Sequence, residues 1–190
     1  MSSRLASRPR CLRCNLSRHL CLCDAIPQVR TRTRILLLQH VMEIAKKSNT
    51  GRVAALALVN SKLIIHGSPS GDFDMELLSE PGTWLLYPDG PSAPPDAPPP
   101  RQLVVLDASW SQARRMTQRV PVLRTLPRLA LPAPEPGLLR LREPSHPSGM
   151  STLDAVARAV AALEGPDVAE PLEQLAALRV QRIAACGTLY

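Results

Sequence analysis

Short apolar runs, each closed by a polar residue or a proline, recur along the chain. Ile35-Leu36-Leu37-Leu38 runs into Gln39-His40, and Lys62-Leu63-Ile64-Ile65 ends at His66. Trp84-Leu85-Leu86-Tyr87 meets Pro88, and Leu103-Val104-Val105-Leu106 stops at Asp107. Runs that are apolar throughout, rather than alternating, predict strands covered on both faces. Arg128-Leu129-Ala130-Leu131 supplies a fifth candidate strand. Between the runs the period lengthens to that of a helix. Val53, Leu56, Ala57 and Val59 line one over 52–60, and Ser109, with Gln112 as capping-box partner, starts another near Trp110. Ser151 or Thr152 caps a third that reaches Glu164, with Leu153, Val156, Val160 and Leu163 as its stripe. Gly165-Pro166 breaks it, and an amphipathic helix over 167–185 closes the chain. Strands alternating with helices predict an α/β fold on a largely parallel sheet.

Two stretches carry neither period. Residues 67–82 are turn-rich, and their Asp72, Asp74 and Glu76 read as a solvated loop rather than a metal site. Residues 88–100, PDGPSAPPDAPPP, lack the donors for a ladder or a helix and read as a stiff connector inside one domain. Composition adds that the core is aliphatic, since 45% of residues are apolar but only 3% aromatic. All but Lys46, Lys47 and Lys62 of the basic residues are arginines, and the net charge is +7. Arginine forks suit phosphates, so a polyanion is the expected partner, although a GC-rich genome also yields such a composition. No apolar run of about 18 residues predicts a membrane span, and MSSRLASRPR has no signal-peptide core. A cytoplasmic protein with reduced cysteines is the expectation.

Residues 11–23, CLRCNLSRHLCLC, bring together Cys11, Cys14, Cys21 and Cys23. Without an oxidising compartment, four thiols so close point to tetrahedral zinc before redox chemistry, with His19 as a substitute ligand. Arg10, Arg13 and Arg18 would make this knuckle basic. The expected division is a zinc-knuckle segment over 1–30 and a catalytic domain over 31–190. Cys186, alone near the C-terminus, is expected in the core. Three donor-rich turns stand out elsewhere. Ser48, Asn49, Thr50, Gly51 and Arg52, with Lys46 and Lys47, suit an anion at a helix start, although a merely well-capped helix would look the same. Asp107 ends a buried strand against a helix N-terminus, where open α/β sheets hold ligands, with Trp110, Gln112, Arg114 and Arg115 on the next turns. Ser148-Gly149 precedes the Ser151-Thr152 cap. These turns are expected to converge on one cleft.

Taken together, the cysteine cluster, His40 with Glu43, SNTGR at 48–52, WLLYP at 84–88, LDASWSQARRM at 106–116 and STLDA at 151–155 resemble the DTW-domain family of tRNA-uridine aminocarboxypropyltransferases. Ala108 and Ser109 stand where the family's signature has glycine and threonine, Val41 where a proline is usual, and Asp154 where a glutamate is usual. The resemblance implies a SPOUT-like fold with a C-terminal trefoil knot. It also implies transfer of the 3-amino-3-carboxypropyl group of S-adenosylmethionine to N3 of a tRNA uridine, releasing methylthioadenosine. Under it, Asp107 is the general base. Leu86, Tyr87, Leu106, Ser109, Trp110, Ser151, Thr152 and Leu153 hold the donor. Ser48, Asn49, Thr50, Gly51, Arg52, Gln112, Arg114 and Arg115 meet the RNA, and the four cysteines hold a structural zinc. The expected partner is tRNA, for a monomer or homodimer. The competing readings are a methyltransferase of the same fold and a non-catalytic RNA-binding protein. Asp107→Asn is expected to fold normally yet lose transfer.

Overall fold

The computed structural model describes residues 9–68, 75–93, 96–132 and 150–186. Its centre is a five-stranded sheet, every described pairing parallel, in the order β2-β1-β4-β3-β5. The strands are β1 (Arg34–His40), β2 (Ser61–His66), β3 (Thr83–Leu86), β4 (Gln102–Asp107) and β5 (Arg128–Leu129). The helices are α1 (Val41–Ile44), α2 (Gly51–Ala57), α3 (Trp110–Arg119), α4 (Pro121–Thr125), α5 (Thr152–Glu164) and α6 (Pro166–Ala185).

The unbroken apolar runs follow from two separate cores. Ile35, Leu37, Leu103 and Val105 face a cluster built with α2, α5 and α6. Their neighbours Leu36, Leu38 and Val104 face the opposite cluster, built with Met116, Val120, Leu123 and Leu126 of the α3–α4 side. A strand whose successive side chains enter different cores has no polar position to spare. The N-terminal segment joins the first cluster through Cys14, Leu16, Leu22 and Val29.

Several expected boundaries shift. The helix expected over 52–60 is α2, which stops at Ala57 because Leu58 turns extended and bridges Val29. The 84–88 strand begins at Thr83 and ends at Leu86, and the 128–131 strand is only Arg128–Leu129. The one-turn α1 and the short α4, with Pro121 in its first turn, lie where no helix was expected. Gly165 stands at φ +102°, in the left-handed region, and lets α6 begin at once with Pro166. Cys186 is exposed at the end of α6, not in the core. Glu76 lies in a 3₁₀ turn over Met75–Leu78. Asp72, Asp74, Ser148 and Gly149 fall outside the described residues. No helix among those residues is long and apolar enough to cross a membrane.

Parallel pairing with this register sets Gln39 of β1 beside Asp107 of β4, and His40 beside His66 of β2. Polar residues that close three apolar strands therefore meet at one edge of the sheet.

Candidate active site

Asp107, 1% exposed, is the hub of that edge. Gln39 Nε2 donates to its Oδ2 at 2.6 Å, and Asn49 Nδ2 reaches both oxygens at 2.9 and 2.8 Å. The Thr152 hydroxyl donates to Oδ1 at 2.6 Å. The carboxylate thus joins β1, β4, the 48–51 turn and the start of α5. Burial pushes its pKa up, the hydrogen bonds from Thr152, Asn49 and Gln39 pull it back, and the Glu43 charge adds to the rise. The balance is upward, which strengthens the carboxylate as a proton acceptor.

The 48–52 turn is spent on holding this hub. Asn49 Oδ1 accepts from the Gly51 N–H at 3.0 Å and from Gln39 at 3.2 Å. Thr50 Oγ1 accepts the Leu153 N–H at 3.1 Å, and Arg179 of α6 donates to the Ser48 carbonyl at 3.1 Å. Gly51 allows the approach, because a Cβ there would fall 2.2 Å from Asp107 Oδ2. Arg52 turns the other way and donates to the Arg13 carbonyl at 2.8 Å, tying α2 to the cysteine segment. Asn49, Thr50 and Gly51, expected at the RNA, thus take part in the framework around Asp107, and the exposed Arg52 also braces the cysteine segment. Gln112 likewise caps α3, accepting from the Ser109 N–H and hydroxyl, each at 2.7 Å. Arg114 and Arg115 are exposed on α3.

A cleft of about 120 Å³ opens beside the hub, at the carboxyl ends of β3 and β4. Leu86, Tyr87, Leu106, Trp110, Met150 and Thr152 are among its walls. Tyr87 and Trp110 lie with ring centroids 6.0 Å apart, tilted by 51°. Five of the expected donor-binding residues therefore share one cavity. The other three stand behind it: Ser109 in the α3 cap, Ser151 as the α5 cap accepting the Asp154 N–H, and Leu153 fully buried in the core. On the far side of Asp107, His40 Nδ1 accepts the Met42 N–H at 3.2 Å, and burial holds its pKa low. Glu43 pairs there with Lys46 at 2.5 Å.

Gln39 and Arg128 are among the residues that escaped the sequence reading as site members. Gln39 was visible as a polar end to an apolar strand, but only the register sets it against Asp107. Arg128, 8% exposed, lies with its guanidinium carbon 5.7 Å from the Tyr87 ring centre, and nothing in its local pattern signals this.

The four cysteine sulfurs lie within 4.8 Å of one another, Cys11 to Cys23 at 3.6 Å and Cys14 to Cys21 at 3.7 Å. Ligands about 2.3 Å from a tetrahedral zinc stand about 3.8 Å apart, so the cluster fits such an ion. Hydrogen bonding from the backbone of Cys14, then Arg13, outweighs burial and brings the Cys11 thiol down to about 6, favouring the thiolate a metal needs. Burial pushes the Cys21 and Cys23 thiols up. His19 is exposed and lies outside the four-sulfur group.

The model of the DTW domain matches residues 8–184. The chain belongs to the DTW-domain family. A curated relative, tRNA-uridine aminocarboxypropyltransferase 2 of Drosophila melanogaster, is 27% identical over 178 residues, covering 87% of this chain and 71% of the fly protein. The tRNA-uridine aminocarboxypropyltransferase A of Arabidopsis thaliana is 29% identical over 134 residues, covering 57% of this chain and half of the plant protein. No solved structure matches. Within this DTW domain the WLLYP, LDASW and STLDA stretches meet at the cleft, and Gln39 and the SNTGR turn complete the hub around Asp107.

Proposed function

We propose that this DTW-domain protein transfers the 3-amino-3-carboxypropyl group of S-adenosylmethionine to N3 of a tRNA uridine. The observation that carries the reading is the juxtaposition of a buried carboxylate of raised pKa with an apolar, aromatic-walled cleft. The names of its relatives supply the substrate class. The cleft's apolar and aromatic lining suits the adenosyl and thioether parts of the donor. Uridine N3 carries a proton and must lose it before its lone pair can attack carbon. In the reaction the N3–C bond forms, the C–S bond breaks, methylthioadenosine leaves, and Asp107 is the final proton acceptor.

Arg114 and Arg115, with Arg10, Arg13 and Arg18 beside the cysteines, are the cations we assign to the tRNA backbone. The four cysteines hold zinc, whose part is to fold the segment that carries those arginines. The SPOUT-like trefoil knot belongs to this reading, and its threading depends on residues 133–149, outside the described ones. Product analysis tests the function. Incubation with tRNA and donor should add the mass of the aminocarboxypropyl group to one uridine and release methylthioadenosine. Release of S-adenosylhomocysteine would make the protein a methyltransferase, and an unchanged tRNA would leave it without this activity.

A further inference from the structure

Asp107 poses a geometric problem for any reaction it serves. It is 1% exposed, and four hydrogen bonds already occupy its two oxygens. A nucleobase cannot touch it without displacing a partner. Of those partners, Gln39 and Asn49 present amide N–H groups, which donate but do not take a proton up again at the same atom. Thr152 differs in both chemistry and position. Its hydroxyl can accept one proton while giving another away, and among Asp107's partners it is the one that lines the cleft. Its placement is fixed by the Ser151 cap, which accepts the Asp154 N–H at 3.2 Å, and by the Leu153 N–H bound to Thr50.

Resting on the proposed transfer reaction, we infer that Thr152 is a catalytic residue that relays the N3 proton of the uridine to Asp107. The N3 proton passes to Thr152 Oγ1 as the hydroxyl's own proton moves to Asp107 Oδ1. The freed N3 lone pair forms the new bond to carbon, and the breaking C–S bond leaves its electron pair on the departing thioether. Thr152 ends neutral, Asp107 ends protonated, and no further reagent is required. The upward pull of burial on the Asp107 pKa assists the second half of the relay. Gln39 and Asn49 keep the carboxylate aimed at Thr152 and hold water away from it.

The experiment compares single-turnover transfer to tRNA at saturating donor and RNA in wild type, Thr152→Val and Thr152→Ser. The valine is isosteric but cannot carry a proton, and is expected to slow transfer by about 10²-fold or more. The serine keeps the hydroxyl and is expected to stay within about tenfold of wild type. A purely structural hydroxyl would not move a second readout, the rate in mixtures of H₂O and D₂O. The wild-type rate should fall along a bowed curve, as two protons in flight require, and a straight line overturns the relay. A valine variant that transfers at the wild-type rate overturns it too. So does one whose only defect is weak donor binding, which would make Thr152 a binding residue. Should valine compromise folding, the serine decides alone, because loss of transfer with its hydroxyl retained is incompatible with the relay. Wild type that leaves tRNA unmodified removes reaction and relay together, whereas wild type and valine transferring equally fast remove only the relay.

Discussion

At the scale of single residues, the surroundings of Asp107 change what its replacement measures. Every side chain that reaches the carboxylate does so as a donor. An asparagine there would point its own N–H₂ at Gln39 or Asn49. Asn49 cannot simply flip, because its Oδ1 already accepts from Gln39 and Gly51. Asp107→Asn, expected from the sequence to fold normally, should instead cost about 2–3 kcal/mol, the scale of lost hydrogen bonds to a charged group plus an unsatisfied donor. Denaturant unfolding measures that loss, and a variant of unchanged stability would show the network to be looser than its distances. Gly51→Ala tests the same packing sterically, since its Cβ would meet Asp107 Oδ2 at 2.2 Å. It should destabilise by about 1–3 kcal/mol, as other overpacked sites do, against the slight gain alanine normally brings inside a helix. Sequence alone picked out Asp107, Asn49, Thr50, Gly51 and Thr152 as polar or permissive residues at turns. It did not set Asn49 and Thr50 against Asp107 and Leu153, because spacing locates a polar group without giving its direction. Asn49 finds its acceptor 58 positions away and Thr50 its donor 103 positions away.

At the scale of elements, β1 and β4 were legible because burial on both faces leaves an unbroken apolar signature, and β3 and the edge strand β2 keep an apolar run although several of their positions are only half-buried. Their order was not, since register depends on which helices fill the space between strands. Helix α2 was read too long because Val59 continues the apolar period, while the tertiary bridge to Val29 ends the helix first. Cys186 was placed inside on residue preference, yet the last turn of α6 passes the edge of the core. The C-terminal end of α5 carries a pH-dependent tie that pattern reading could not see. Glu164 accepts the Thr33 N–H at 2.8 Å and Arg32 Nε at 3.0 Å. Burial raises its pKa, but these bonds outweigh burial and hold it below the ordinary glutamate range. A depressed carboxylate stabilises the fold above its unfolded pKa, near 4.3, and loses that contribution as pH falls through the folded value. Glu164→Gln should therefore lower stability by about 1–2 kcal/mol at pH 7, mostly through the Thr33 bond. The exposed Arg32 adds little. The gap between the variant and wild type should close on acidification below about pH 4. Thermal unfolding of both proteins across that range checks it, and a gap that persists at low pH would assign the loss to packing instead.

At the scale of the whole molecule, the cysteine segment is anchored to the domain on several sides. Arg10 donates to the Ile44 and Ala45 carbonyls, and Asn15 to Ile44 at 2.9 Å. Arg52 reaches in from α2, and Arg182 of α6 binds the Cys21 carbonyl and pairs with Asp24 at 2.6 Å. Cys14, Leu16 and Leu22 complete the docking by entering the main core. An isolated zinc finger unfolds when its metal is removed, because nothing else holds it. Here the apolar and arginine contacts remain, so chelation should loosen the segment without unfolding the sheet. Four sulfurs confined within 4.8 Å would be left without a shared cation, and one or more must move apart. Removal of zinc should therefore lower Tm, by about 2–4 °C for each kcal/mol of stability lost in a chain of this size. The loss should also travel along Arg52. Amide exchange at Gly51 and Leu153, whose N–H groups are held by the 48–51 turn, should quicken on chelation. The β1 and β4 amides, in the middle of the sheet, should keep their protection. Calorimetry and hydrogen exchange on the metal-loaded and chelated protein measure both effects. An unchanged Tm would show that the cluster carries no structural metal. A lowered Tm with unaltered exchange at Gly51 would show that the knuckle is stabilised by zinc but mechanically separate from the Asp107 hub.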